Sequence, residues 1–240
     1  LSLEMIEELQ VVLTNWENSE EIACIFMQGA GEKAFCAGGD VRKLYVAILH
    51  QRTIDETKVP QECFDFFSKE YEVDYAIHTY PKPIIVWGHG IVMGGGIGLM
   101  VGASHRIVTE RSKLAMPEIT IGLYPDVGGT WFLNKMPSVF GLYLGLTGAR
   151  LDGADCVYLG LADYYVSSSQ KEDIINDLIH TNWKGDADQI VSDLLENIAK
   201  NNEIPDSQAA LHKDFIEQFE GVQSVSDFKE ILINYPEKDT

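Results

Sequence analysis

The sequence has only four cysteines, and their spacing excludes the sites that cysteines usually build. No CxxC pair and no Cys/His ligand spacing occurs, so we expect neither a zinc site nor a disulfide framework. The four residues are Cys24, Cys36, Cys63 and Cys156. Unpaired cysteines are typical of a reducing compartment. We therefore expect a cytoplasmic protein, or one of the mitochondrial matrix if the source is eukaryotic.

Basic residues are also scarce, with 18 Lys and Arg against 37 Asp and Glu and a formal net charge of −19. This balance argues against broad binding to nucleic acid or to an anionic membrane. The sequence has no uncharged apolar run of about 18 residues and no cationic leader before an apolar region. We therefore predict neither a membrane span nor a signal peptide, although the chain opens at Leu1 inside a helical pattern.

Several common enzyme motifs are missing as well. The cluster of glycines after residue 93 fails the dinucleotide pattern G-x-G-x-x-G, because the required final glycine is replaced by Val101. Nor does the sequence contain the phosphate-binding pattern G-x-x-x-x-G-K-[ST], the nucleophile elbow G-x-S-x-G or the zinc motif H-E-x-x-H. Those classes of enzyme are excluded.

Apolar runs of strand length alternate with helical patterns over the first two thirds of the chain. We predict strands at residues 22–27, 84–87 and 106–109, and the alternation indicates an α/β domain whose loops lie on one edge of a sheet. From about residue 167 the pattern is purely helical. We place the boundary there, between a core at 1–166 and a helical C-terminal region at 167–240.

Two glycine loops each follow a strand-like run. Gly38 and Gly39 belong to the first loop, and Gly94 and Gly95 belong to the second. If the two strands are neighbours, the backbone N–H groups of Gly39 and Gly95 converge on one point and form an oxyanion hole, in which one donor contributes roughly 3 kcal/mol. Glycine also serves tight turns and close helix packing, so the residue types alone leave both interpretations open.

Two carboxylates follow the glycine loops. Glu118 comes directly after Pro117, an arrangement typical of a helix N-terminus, and Asp126 lies in a Pro-Asp-Val-Gly-Gly turn. They are eight residues apart and surrounded by few other charges, as a pair for acid/base or nucleophilic chemistry would be. Glu70 lies in an apolar helical pattern, where a solvated helix face is the alternative to a site.

Four segments, in this order and spacing, resemble the crotonase (enoyl-CoA hydratase/isomerase) superfamily. They are AFCAGGDVR at 34–42, HGIVMGGGIGL at 89–99, AMPEITIGLYPDVGGT at 115–130 and LTGARLDGADCVYLGLADYYV at 146–166. The resemblance implies a spiral of ββα units with a helical C-terminal region. It also implies that the amides of Gly39 and Gly95 stabilise the enolate or oxyanion of an acyl-CoA thioester.

Hydratases of this family carry two catalytic glutamates, and only the second has a counterpart here. Gly98 occupies the first position and Glu118 the second, so water addition by two glutamates is not expected. The Pro-Asp-Val-Gly-Gly and Ala-Gly-Gly-Asp-Val-Arg segments instead resemble the thioesterase branch, which acts on 3-hydroxyisobutyryl-CoA in valine breakdown. In that branch the residues matching Glu70, Gly95, Glu118 and Asp126 line the substrate site.

The resemblance therefore implies a CoA-thioester hydrolase. Glu118 would act as nucleophile or as base on water, and Asp126 would protonate the leaving thiolate or orient Glu118. Glu70, Gly94 and Gly38 would contact the substrate. Coenzyme A enters as part of the acyl-CoA substrate, so we expect no separate cofactor and no metal. The oligomeric state stays open.

Two rival functions stay open beside this one. The first is an enoyl-CoA hydratase or isomerase that uses Glu118 alone, and the second is a non-catalytic protein that binds acyl-CoA. Family members also begin with a strand ahead of the helix that opens here at Leu1, and the thioesterases continue with further helices. We therefore expect segments at both ends to lie outside this sequence.

Overall fold

The computed structural model describes residues 1–235. The strands are β1 Ile25–Gln28, β2 Ala34–Cys36, β3 Ile84–Gly88, β4 Ile91–Met93, β5 His105–Val108, β6 Lys113–Ala115 and β7 Tyr164–Tyr165. The helices are α1 Leu3–Glu17, α2 Val41–Ile54, α3 Gln61–His78, α4 Gly95–Val101, α5 Gly129–Leu133, α6 Phe140–Thr147, α7 Gly153–Tyr158, α8 Lys171–His180, α9 Ala187–Ala199, α10 Gln208–Leu211, α11 Lys213–Ile216 and α12 Val225–Asn234. Short 3-10 turns occupy Glu118–Ile121, Ser168–Gln170 and Glu217–Phe219.

The strands form two parallel sheets, which confirms the predicted α/β class and corrects the expectation of one sheet. The larger sheet has the order β1-β3-β5-β7 and the smaller one β2-β4-β6. Consecutive strands thus alternate between the sheets, and each pair leads into a helix or a 3-10 turn. Ile25 pairs with Ile84 in the larger sheet, and Met93 pairs with Ala115 in the smaller one.

The second sheet escaped prediction because its strands have only three residues each, too few to show a period of two. The segment that leads into the first glycine loop contains β2, and the run between β3 and the second glycine loop contains β4. The three predicted strands are present in the larger sheet as β1, β3 and β5, shifted by no more than three residues at either end.

Two apolar cores hold these layers together. The larger core lies around both sheets and includes residues of α1, α3 and α4, such as Ile6, Val73 and Met100. The second core joins β3 and β5 to helices α8 and α9, and Trp87 and Leu195 are among its buried members. The helices after residue 166 thus pack on the sheet, while the division into domains at 166 stays a prediction. No helix among residues 1–235 is long and apolar enough to cross a bilayer.

Candidate active site

The predicted site residues follow the carboxyl ends of the small sheet. Gly39 comes three residues after β2, Gly95 two residues after β4 and Glu118 three residues after β6. Because these strands are parallel, their carboxyl ends lie at the same edge of the sheet. A cavity of about 250 Å³ opens there, and Glu70 and Asp126 also line it. One edge of one sheet therefore gathers residues that are far apart in the sequence.

The backbone amides of Gly39 and Gly95 lie close together at this edge. A Cβ atom placed on Gly95 would be 3.8 Å from the Gly39 nitrogen, and one placed on Gly38 would be 3.9 Å from the Gly95 nitrogen. Gly95 is the first residue of α4, so its N–H has no partner inside the helix. Among residues 1–235 neither amide donates a hydrogen bond. Both donors are thus available to a ligand.

Close packing explains why these positions are glycines. A Cβ atom on Gly95 would lie 2.2 Å from Glu70 Oε1, and one on Gly39 would lie 2.8 Å from the Phe66 ring. Gly94 has a φ of +52°, and its Cβ would approach Glu118 Oε1 to 2.8 Å. Such separations are shorter than van der Waals contact. The two interpretations of the glycines are therefore compatible, because the same residues permit the turns and border the cavity.

Glu118 begins the 3-10 turn after β6 and is only 6% exposed. Its Oε2 atom is buried and has no hydrogen-bond partner in the described part of the chain. Burial raises the pKa of Glu118 to about 6, and the negative charge of Asp126 adds to the increase. A carboxylate with this pKa is ionised at neutral pH and is more basic than an exposed glutamate.

Asp126 is half-buried at the rim of the same cavity and accepts a hydrogen bond from α3. The donor is the Tyr71 hydroxyl, 2.7 Å from Asp126 Oδ2. Tyr71 was not predicted from the sequence. Its position directly after Glu70 is the only signal that placed it near the site.

Glu70 is buried, so the alternative of a solvated helix face is wrong. It is 2% exposed, and its Oε1 atom has no hydrogen-bond partner among residues 1–235. Burial, and to a smaller extent the charge of Asp126, raise the pKa of Glu70 to about 7. The carboxyl group thus titrates near neutral pH beside the Gly95 backbone.

A fourth carboxyl group, Asp74, lies near Gly98 and was also missed. A Cβ atom on Gly98 would lie 2.6 Å from Val127 Cβ and 2.9 Å from Asp74 Oδ2. There is consequently no room for a side chain at this position. The spacing of four residues between Glu70 and Asp74 could have revealed that both lie on one face of α3.

The alternating ββα units and the glycine-lined cavity define a crotonase-type fold. A family model described as enoyl-CoA hydratase/isomerase matches residues 1–239. The chain belongs to the enoyl-CoA hydratase/isomerase family.

The chain is also similar to individual proteins of this family and to one ribosomal protein. It is 37% identical over 232 residues to a Gallus gallus protein named 3-hydroxyisobutyryl-CoA hydrolase, mitochondrial, covering 97% of this chain and 58% of that protein. It is 44% identical over 165 residues to a Neurospora crassa protein named small ribosomal subunit protein mS47, covering 69% of this chain and 32% of that one. The chain thus spans less than two thirds of the length of these relatives.

A solved structure shows the same fold. A carnitinyl-CoA dehydratase from Mycobacterium thermoresistibile superposes with a TM-score of 0.85 at 33% identity. The superposition covers 98% of this chain and 65% of that one. The predicted fold class is therefore confirmed.

Proposed function

We propose that this chain hydrolyses the thioester bond of an acyl-CoA, with 3-hydroxyisobutyryl-CoA as substrate and 3-hydroxyisobutyrate and CoA as products. The proposal rests on one observation, which is that three groups lie together in one cavity. The free amides of Gly39 and Gly95 lie beside Glu118, whose Oε2 atom has no partner in the described chain. The name of the Gallus gallus relative supports the choice of substrate.

The two amides bind the thioester carbonyl oxygen and stabilise the negative charge that develops on it. In the first of two routes, Glu118 removes a proton from water while the water oxygen attacks the carbonyl carbon. The tetrahedral intermediate then collapses, the C–S bond breaks, and the sulfur keeps the electron pair. Glu118 returns its proton to the sulfur. Water and thioester are thereby converted into acid and thiol.

In the second route, Glu118 itself attacks the carbonyl carbon and forms a mixed anhydride as the thiolate leaves. Water then hydrolyses the anhydride. After a single turnover in H₂¹⁸O, ¹⁸O in the protein identifies the second route, because hydrolysis at the Glu118 carbonyl of the anhydride places the label there. Mass spectrometry of the peptide that contains Glu118 reads the result.

The other carboxyl groups tune and orient this chemistry. Asp126 was predicted either to protonate the leaving thiolate or to orient Glu118. The hydrogen bond that it accepts from Tyr71 supports the second role, because this contact fixes the Asp126 carboxylate near Glu118. Glu70 is placed beside the Gly95 backbone to contact the substrate hydroxyl. Gly94 and Gly38, both with positive φ, bring the backbone close to the acyl group.

The nucleotide end of CoA needs positive charge, which is scarce in this protein. Helix α2 has no acidic residue and carries Arg42, Lys43 and Arg52, all exposed. Its first turn also contributes Val41 and Leu44 to the cavity. This helix supports binding of the CoA phosphates at the mouth of the site. A mitochondrial matrix location in a eukaryotic source agrees with the names of the relatives.

The test is to supply 3-hydroxyisobutyryl-CoA and to titrate free thiol. We expect CoA release that falls by about a thousandfold in Glu118→Gln. A matched control is Glu172→Gln, which removes a carboxylate from α8, outside the cavity. No thiol release by the unchanged chain, or equal release by Glu118→Gln, overturns the proposal.

A second assay, with an enoyl-CoA as substrate, separates the rival functions. Loss of enoyl absorbance without thiol release would instead identify a hydratase or isomerase. Binding of acyl-CoA without turnover of any thioester would identify a non-catalytic protein. The lack of room for a side chain at Gly98 speaks against a second glutamate at that position.

A further inference from the structure

A second cavity lies beside the glycine cavity and shares with the chemistry proposed above only Tyr71, the donor to Asp126. Its volume is about 260 Å³, and one face of α3 forms a wall of it together with residues of α4, α5 and the loop before α5. The residues that matter here are Tyr71, Asp74, Tyr75, Gly98 and Trp131. Neither of the two oxyanion glycines lines this second cavity, nor does Glu118.

The carboxyl group of Asp74 is an unsatisfied polar group in this cavity. Both of its oxygens are buried, and neither has a hydrogen-bond partner among residues 1–235. The absent side chain of Gly98 leaves the space that the carboxyl group occupies, since a Cβ atom there would lie 2.9 Å from Asp74 Oδ2. A buried polar group without a partner costs about 1–3 kcal/mol, which a ligand can recover by pairing with it.

Aromatic rings form much of the remaining wall. Tyr71 and Tyr75 come from α3, and Trp131 and Phe132 come from α5. Rings of this kind attract cations to their faces. Trp131 already does so with an ammonium group of the protein, since Lys135 Nζ is 3.4 Å from the centroid of its ring. Lys135 itself does not line the cavity.

The local charge decides the sign of the ligand. Burial and the nearby carboxylates of Glu70 and Asp126 raise the pKa of Asp74 to about 8. No lysine or arginine lines the cavity, and His78 is its one basic side chain in the described chain. An anion would therefore be repelled, and a purely apolar ligand would leave the carboxyl group unpaired. A cation both pairs with Asp74 and lowers the repulsion among the carboxylates.

We propose that this cavity binds a small organic ammonium cation, with Asp74 as its counter-ion and the rings of Tyr71, Tyr75 and Trp131 around its alkyl groups. The proposed cation is not a reactant in thioester hydrolysis, and the two sites share only Tyr71, whose ring lines this cavity while its hydroxyl donates to Asp126. Its ligand class is an alkylated amine small enough for a cavity of about 260 Å³.

Calorimetric titration of the 240-residue chain with two isosteric probes tests the proposal. Choline carries the cation, and 3,3-dimethyl-1-butanol has the same shape without the charge. We expect choline to bind about tenfold more tightly than the neutral alcohol, or better. Asp74→Asn should abolish this preference and leave the affinity for the alcohol unchanged, which also shows that the cavity of the variant is intact. Glu72→Gln, on an exposed position of the same helix, should keep the preference.

The pH dependence gives a second readout. The titratable groups around Asp74 are Glu70, Tyr71, Tyr75 and His78 on α3 and Asp126 on the facing loop, while the cavity residues of α4 and α5 carry none. Choline affinity should rise as the pH increases through about 8, because Asp74 must lose its proton. The series is repeated with His78→Gln so that the imidazole is not mistaken for Asp74. Equal binding of both probes, no binding of either, or a preference for choline that survives Asp74→Asn overturns the proposal.

Discussion

The Tyr71 hydroxyl donates a hydrogen bond of 2.7 Å to Asp126 Oδ2 and so ties α3 to the loop before α5 across 55 residues of sequence. Burial raises the pKa of the Tyr71 hydroxyl, and the hydrogen bond to Asp126 raises it further. The tyrosine therefore stays protonated and remains a donor. The contact holds the Asp126 carboxylate at the rim of the cavity, where its charge acts on Glu118.

Removing this hydroxyl should slow hydrolysis while the substrate still binds. In Tyr71→Phe we expect kcat for thioester hydrolysis to fall about tenfold, because a hydrogen bond to a charged group contributes about 1.5–3 kcal/mol. KM should change less, since the ring remains. Steady-state thiol release measures both constants. Tyr158→Phe on α7, which also removes a tyrosine hydroxyl, is the control, and an equal effect of both variants would contradict a role for Asp126 orientation.

The rate of hydrolysis should depend on the ionisation of Glu118. Its pKa is raised to about 6, first by burial and then by Asp126, so kcat/KM should rise with pH and level off above that value. In Asp126→Asn the pKa of Glu118 should fall, which moves the rising limb to lower pH. A pH series of kcat/KM for both proteins checks this. A limb that stays in place would show that Asp126 does not act through Glu118.

The sequence predicted the site better than the layers that build it. The glycines and Glu118 were found because each stands in a motif of unusual residues. The small sheet was missed because β4 and β6 have three residues each, and only tertiary pairing makes them strands. Yet these short strands are what bring Gly39, Gly95 and Glu118 to one edge.

Asp74 on α3 was missed for a different reason. It looks like a solvated helix position, because the helix also carries Glu62, Asp65 and Glu72 on its surface. Which of these acids is buried depends on α4, whose glycines let it approach α3 closely. The periodicity of the sequence identifies the apolar face of α3, but it does not indicate which acidic residues at the border of that face are buried.

A methyl group at Gly95 should abolish hydrolysis. Its Cβ atom would lie 2.2 Å from Glu70 Oε1 and would shift the amide that we propose as a donor to the carbonyl oxygen. We expect Gly95→Ala to lower kcat/KM by a hundredfold or more, which is about 3 kcal/mol for one lost donor. Gly145→Ala on α6 is the matched control, since its Cβ meets its nearest atoms at an ordinary 3.5 Å. Thiol release measures the loss, and circular dichroism shows whether each variant is folded.

Full activity of a folded Gly95→Ala would contradict the oxyanion role. Gly145 is a helical glycine, so Gly145→Ala should keep its activity and gain up to about 1 kcal/mol of stability. Reduced activity in both alanine variants would point instead to a general loss of stability.

The stability of the fold should fall as the pH rises, because the carboxyl oxygens of Asp74 are buried and have no hydrogen-bond partner among residues 1–235. Its pKa increases from 3.8 to about 8, mainly through burial and further through Glu70 and Asp126. Between these two values the folded chain holds a proton that the unfolded chain has released. The stability linked to this proton is complete below about pH 4 and is lost as the pH rises through about 8.

Asp74→Asn should remove this dependence, because asparagine stays neutral at every pH. We expect its free energy of unfolding to exceed that of the unchanged chain by several kcal/mol near pH 9, with the difference vanishing near pH 4, because each unit of pKa shift corresponds to about 1.4 kcal/mol. Urea unfolding followed by circular dichroism at both pH values measures it. Glu72→Gln removes an exposed carboxylate from the same helix and should show no comparable change with pH. A difference for Asp74→Asn that is the same at both pH values would rule out the buried carboxyl group as its cause.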